Sequence, residues 1–206
     1  MSTYQTEEEQ VEALKKWWKE NGKSVIAGVV IGLAVVAGGK GWLEYRRVQA
    51  ENASAFYDSF ASAALGGELD KAEERGEALL KEYGDSTYAV LAALELARLE
   101  YDAGQKDRAS GRLQWVLDRG KPEALAGLAR IRLARLALDL DKLDLVERLV
   151  AEPPADAYQG ELLGIRGDLK LARGDREGAR EDFAAALEKG VSAPELVQMK
   201  LAELGG

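Results

Sequence analysis

Side chains able to make or break bonds are scarce in this chain. Its 206 residues include no cysteine and no histidine. A thiolate nucleophile, a Cys-type zinc or iron–sulfur site and the commonest general base are therefore all missing. Paired carboxylates or a lysine are the tools left to an enzyme. The short motifs that hint at chemistry fail on their context. Gly22-Lys23-Ser24 ends like a phosphate-binding loop, but Trp17 stands where the first glycine is needed. Gly38-Gly39-Lys40-Gly41 lacks both the upstream glycine and the Ser or Thr. Asp139, Asp141 and Asp144 resemble a fragment of a calcium loop without its glycine and closing glutamate, and a solvated helix end accounts for them. Asn52-Ala53-Ser54 is a formal glycosylation sequon in a stretch that reads as helix. The sequence calls for no catalytic set, no metal, no cofactor and no small-molecule substrate. What remains is recognition.

The elements that would position recognising side chains fall into two parts. The net charge is −8, the isoelectric point is near 4.9, and the acidic excess lies almost wholly in residues 44–206. So acidic a chain is a poor phosphate binder, which argues against nucleic acid as a partner. Ahead of it, residues 24–39 read SVIAGVVIGLAVVAGG without a charge. Extended to Leu43, past the single Lys40, the run makes roughly 30 Å of helix, the thickness of a bilayer core.

Three readings compete for the run: a buried core helix, a cleaved signal peptide with Ala37 and Gly39 at its cleavage site, and a retained membrane anchor. A core helix of this length rarely lacks a polar face. A signal peptide fits poorly behind a leader of 23 residues that contains five glutamates. The flanks favour the anchor. Trp17 and Trp18 precede the run and Trp42 and Tyr45 follow it, and Trp18 to Trp42 is about 36 Å of helix, enough for an aromatic belt at each interface. We therefore expect a tail over 1–23, a transmembrane helix over 24–43 and a folded domain over 44–206. Lys15, Lys16, Lys19 and Lys23 before the span, against Lys40, Arg46 and Arg47 after it, orient the tail weakly to the cytoplasm. Gly28, Gly32, Ala34 and Gly38 form a small-residue series that would let a second helix approach closely. Glycine is common in membrane helices anyway, so lipid exposure of the same face is equally compatible.

Beyond Tyr45 the pattern is all-α, with helices of ten to eighteen residues punctuated by glycine and no sustained alternation. It is also repetitive. Gly67 to Ala72, Gly104 to Ala109, Asp141 to Val146 and Gly174 to Ala179 each set a turn residue five positions before a small or branched one. The second members are 37, 37 and 33 residues apart, bracketing the 34-residue period of tetratricopeptide repeats, which pair two antiparallel helices per unit. Gly167, Ala179, Phe183 and Ala186 fill the last repeat's contact slots, and Ala97, Ala109, Leu113 and Val116 those of the second. The third repeat has Pro153 in its last slot, and Pro153-Pro154 is expected to end its helix. The first is the most degenerate, with Gly76 where an aromatic belongs. Pro194 should open a final helix that caps the stack. The expected fold is a single N-terminal transmembrane helix followed by a tetratricopeptide-like helical-repeat solenoid.

Such a stack presents a concave surface lined by the first helix of each pair. With the phase set by Ala97, Ala134 and Gly167, the lining should include Leu94, Arg98, Tyr101, Ile131, Arg135, Leu138 and Leu171, and Tyr57 extends the row. This is an apolar strip with two arginines, suited to a helical or extended polypeptide segment bearing acidic groups.

Three stretches, QVEALKKWWKENGKSVIAGVVIG near the start, YGDSTYAVLAALELARLEYDAG at 83–104 and GIRGDLKLARGDREGAREDFAAALEKG at 164–190, resemble the YfgM family, ancillary subunits of the bacterial SecYEG translocon. The resemblance covers both ends and the middle in the family's order. It implies a single-pass inner-membrane protein with a cytoplasmic N-terminus and a periplasmic tetratricopeptide-like domain. It further implies association with the translocon and with the periplasmic chaperone PpiD, assistance to emerging client proteins, and no catalytic residues. Without the resemblance, anchor and repeats suit equally a tetratricopeptide scaffold for cell-envelope assembly that never touches the translocon.

Overall fold

The computed structural model describes residues 7–151 and 156–205. Its regular elements are helices: α1 (Glu7–Leu65), α2 (Leu69–Glu82), α3 (Thr87–Asp102), α4 (Lys106–Arg119), α5 (Glu123–Asp139), α6 (Leu143–Ala151), α7 (Gln159–Ala172), α8 (Arg176–Lys189) and α9 (Pro194–Glu203), with a 3₁₀ turn at Asp156–Tyr158 before α7. Pro153 and Pro154 lie outside the described residues. The chain separates into two compact units, Met1–Glu51 and Asn52–Gly206, and the residues of α1 are divided between them.

In the first unit, α1 carries the apolar run and is long and apolar enough to cross a membrane. Its most apolar window is only 6% buried, which removes the buried-core reading of that segment. Ile26, Val29, Ile31, Leu33 and Val35 are exposed on all sides of the helix, as are Trp17, Trp18, Trp42 and Tyr45 at the two ends of the apolar run. A helix apolar all round is stable only against lipid or other protein.

The second unit is built from helix pairs: the end of α1 with α2, α3 with α4, α5 with α6, and α7 with α8. Each pair turns on a left-handed residue. Gly67, Gly104 and Gly174 have φ of 71°, 77° and 84°, and Asp141 at 54° is the non-glycine in the same role. Around Gly104 the amide donates to Tyr101 O at 2.9 Å and the next amide, of Gln105, to Glu100 O at 2.7 Å. That two-bond pattern closes the helix carbonyls, and it recurs at Asp141, where Lys142 N donates to Ala137 O at 2.8 Å. Five residues on, Ala72, Ala109, Val146 and Ala179 are all fully buried, as a close helix crossing requires.

The first repeat is less degenerate than its sequence pattern indicates. In the last repeat, Gly167 on the first helix faces Phe183 on the second, and a Cβ built on Gly167 would lie 2.6 Å from the ring. In the first repeat the partners are exchanged. Phe60 occupies the first-helix position and Gly76 the second-helix one, with a built Cβ 3.2 Å from the Phe60 ring and 2.7 Å from Leu96. Both rings are completely buried. One aromatic ring against one glycine fills the crossing whichever helix supplies it. In the second repeat the same two positions are Ala97 and Leu113, and in the third Ala134 and Val150, so neither has a ring there.

Polar contacts tie successive pairs at nearly the repeat interval. Arg108 reaches Glu73 at 2.8 Å, Arg112 reaches Glu77 at 2.6 Å and Lys142 reaches Asp107 at 3.2 Å, each 35 residues apart. Arg112 Nε also donates at 3.0 Å to the fully buried Glu100. In the last pair, buried Asp182 accepts from Arg166 at 2.8 and 2.5 Å and is 2.9 Å from Lys170. Helix α9 begins with Pro194 in its first turn and lays Val197 onto the small core of Ala179 and Phe183.

Candidate recognition cleft

A cleft of about 360 Å³ opens between α3, α4 and α5. Alanines at the close crossing form part of its wall, because Ala97 and Ala109 bring α3 and α4 together without filling the space between them. Leu113 and Leu136 add aliphatic surface, and Arg98, Arg132, Arg135 and Tyr101 supply the polar groups.

The three guanidinium groups differ in what holds them. Arg98 is clamped within its own helix: Nε lies 3.1 and 3.2 Å from the Glu95 carboxylate, and Nη1 2.8 Å from Asp102. These are the i−3 and i+4 partners that a helix places on one face, and hydrogen bonding to Glu95 above all raises the Arg98 pKa further. Arg135 pairs across the repeat boundary with Glu161 at the start of α7. Burial pushes the Glu161 carboxyl up, yet the Ser192 amide at 2.6 Å and Arg135 together hold it below the usual glutamate range. Arg132 donates only to the carbonyl of Leu94, at 3.3 Å, and makes no ion pair among the described residues. Tyr101 is 44% exposed, and Lys106 sits 5.9 Å from the centre of its ring.

Of the eight residues expected along the groove, Arg98, Tyr101 and Arg135 meet at this cleft. Leu94 and Ile131 do not: they are 3% and 4% exposed and belong to the core. Each stands three residues before a close-contact alanine, Ala97 or Ala134, and so shares its inward face. Leu138 is half-buried against the main core, and Leu171 against the Phe183 cluster. Tyr57 is half-buried too, its ring centre 5.7 Å from that of Tyr88 and 5.9 Å from that of Phe60. The cleft also uses Ala97, Ala109, Leu113, Arg132 and Leu136, none of which the sequence reading assigned to it. The absence of a ring at positions 97 and 113 was visible in sequence, but positions 134 and 150 share it, so it did not by itself single out this cleft. On α1, Gly28, Gly32 and Gly38 have open space where a Cβ would stand, and Ala34 is exposed.

A lining of guanidinium groups, a phenol and aliphatic carbon can bind and orient a polypeptide, and the stack of helix pairs that carries it defines a tetratricopeptide-like protein. The family model for the tetratricopeptide repeat-like domain matches residues 15–206. A crystal structure of a tetratricopeptide repeat protein from Parabacteroides merdae superposes with a TM-score of 0.51 at 20% identity, covering 75% of this chain and 58% of that one, a likeness of fold. Relatives are more specific. The chain is 31% identical over 208 residues to the ancillary SecYEG translocon subunit of Escherichia coli, covering 99% of each. It is 28% identical over 199 residues to that of Haemophilus influenzae, covering 96% of this chain and 97% of the other. For the Neisseria gonorrhoeae subunit the figures are 28% over 216 residues, with 99% and 100% covered. The chain belongs to the family of ancillary SecYEG translocon subunits.

Proposed function

We propose that this chain is a membrane-anchored interaction subunit associated with the Sec protein translocon. The observation that carries the reading is end-to-end likeness to a protein named for that association, 31% identical with 99% of both chains covered. Tail, span and repeat domain therefore all have counterparts. Residues 24–43 hold the chain in the bacterial inner membrane, residues 1–23 stay in the cytoplasm, and the acidic domain over 44–206 lies in the periplasm. The series Gly28, Gly32, Ala34 and Gly38, with open space at its glycines, supports docking of the span on translocon helices. The repeat domain binds a periplasmic chaperone of the PpiD type, an emerging client, or both, through the face that carries the cleft.

Affinity purification of the full-length protein from mild-detergent membrane extracts tests this reading. A second sample carries an unrelated transmembrane span in place of residues 24–43. Translocon subunits and a periplasmic chaperone should accompany the native protein, and the translocon should be lost on exchange. Recovery of envelope-assembly proteins instead, with no translocon in either sample, would replace the reading with that of a cell-envelope scaffold.

A further inference from the structure

The cleft between α3, α4 and α5 sits at a crossing where the repeat pattern leaves out a ring. In the last repeat the Phe183 ring covers Gly167, and in the first the Phe60 ring covers Gly76. In the second repeat the equivalent residues are Ala97 and Leu113, and both line the open cleft. Its volume of about 360 Å³ is more than twice the roughly 150 Å³ of an apolar cavity that accepts benzene. An aromatic side chain from outside fits the space, against aliphatic neighbours.

Charge narrows the occupant. Arg98 is neutralised by Glu95 and Asp102, and Arg135 by Glu161. Arg132 alone of the three makes no ion pair among the described residues, although it lines the same cleft and is exposed. A carboxylate beside an inserted ring would reach a guanidinium that has given only one hydrogen bond, to the carbonyl of Leu94. Guanidinium–carboxylate pairing of this kind is charge-assisted and bidentate where the fork is free. We propose that the cleft is a socket for one aromatic side chain of a partner polypeptide whose neighbouring residue is Asp or Glu, the ring replacing the one missing between Ala97 and Leu113 and the carboxylate pairing with Arg132. The proposal rests on the reading of the repeat domain as a polypeptide-binding one and names the chemistry that the domain selects.

The test uses the full-length protein in detergent micelles and a short fluorescent peptide with one Phe-Asp pair in a neutral Ser/Ala frame, read by anisotropy. Sister peptides carry Ala for Phe or Asn for Asp. The Phe-Asp peptide should bind about tenfold more tightly than the Ala version, as buried aromatic anchors do, and about fivefold more tightly than the Asn version. Leu113→Phe supplies a ring from within and should weaken Phe-Asp binding at least tenfold; because Ala97 and not a glycine faces it, the melting temperature should fall modestly while the helix signal is kept. Arg132→Gln should remove the preference for Asp over Asn, and Arg132→Lys should restore part of it. Should Leu113→Phe misfold, Ala97→Val fills the same space from α3 and should weaken binding likewise. Equal binding of the three peptides, no binding by the wild type, or wild-type affinity in a folded cleft-filling variant would each overturn the socket. Failure of the socket and failure of the translocon reading are separable. Peptide discrimination without translocon co-purification removes the translocon reading alone, and co-purification without discrimination removes the socket alone.

Discussion

Gly167→Ala is destabilising in this protein for a reason that a second substitution should reverse. A Cβ on Gly167 would lie 2.6, 2.7 and 3.1 Å from three atoms of the Phe183 ring. The ring is fully buried with Ala179 and Val197 as core neighbours and Leu171 and Leu187 packed against them, so it has little room to give. Overpacking of this kind costs about 1–3 kcal/mol, and alanine returns about 0.5–1 kcal/mol of helix propensity. The net expectation is a loss of about 1 kcal/mol. Phe183→Leu removes the ring and recreates the Ala/Leu pairing of the second repeat once Gly167→Ala is added. In that background the methyl has space, only the propensity gain survives, and Gly167→Ala should stabilise by about 0.5–1 kcal/mol. The sign therefore reverses, with a coupling of about 1–3 kcal/mol between the two positions. Urea unfolding of the four proteins in detergent micelles, followed by circular dichroism at the helix band, measures the cycle. Equal shifts from Gly167→Ala in both backgrounds would refute the ring-against-glycine account of the repeat crossing.

Further predictions concern turns and buried charge. Gly104→Ala forces a side chain into φ of 77° and should cost about 1 kcal/mol. Asp141→Gly, at φ of 54°, relieves about 1 kcal/mol of strain against about 0.5 kcal/mol of added unfolded-chain entropy and should gain about 0.5 kcal/mol; thermal melts compare the two. Burial pushes the Asp182 carboxyl up, but hydrogen bonds and charge from Arg166 and Lys170 outweigh this and hold it below the usual aspartate range. Its contribution is therefore complete above the unfolded value of about 3.9 and is lost as pH falls through the lower folded value. Asp182→Asn should lower stability at neutral pH by about 1–3 kcal/mol and flatten that acid limb in a pH series of urea unfolding curves. Arg112→Met leaves the buried Glu100 without its 3.0 Å partner and should destabilise by about 3 kcal/mol, more than Arg108→Met, whose contact with Glu100 is 3.4 Å.

The turns were the most legible feature of the sequence. Gly67, Gly104, Asp141 and Gly174 announce themselves because a left-handed backbone accepts few residue types, and all four have positive φ. Small residues five positions later follow from the same helix crossing. The inversion of Phe60 and Gly76 was hidden, because a pattern assigns the ring to one helix while packing accepts it from either helix as long as a glycine faces it. The cleft was half legible. Arg98, Tyr101 and Arg135 follow from repeat phase, but Leu94 and Ile131 share the inward face of Ala97 and Ala134, where a small error in phase turns a groove residue into core. Neutralisation of Arg98 could be read from Glu95 and Asp102 at helical spacing. The pairing of Arg135 with Glu161 could not, since it depends on how α5 meets α7. Arg132 stands out only once the partners of its two neighbours are known.

Association with the translocon is the property on which the proposed function stands, and binding between purified components measures it directly. Full-length protein bearing a fluorophore on its tail is titrated with purified SecYEG in detergent micelles. The native protein should bind saturably, and exchange of residues 24–43 for an unrelated span should weaken binding at least about tenfold, the loss expected when a packed helix interface is removed. Absence of binding by the native protein, at concentrations where SecYEG still binds its established partners, would contradict the account.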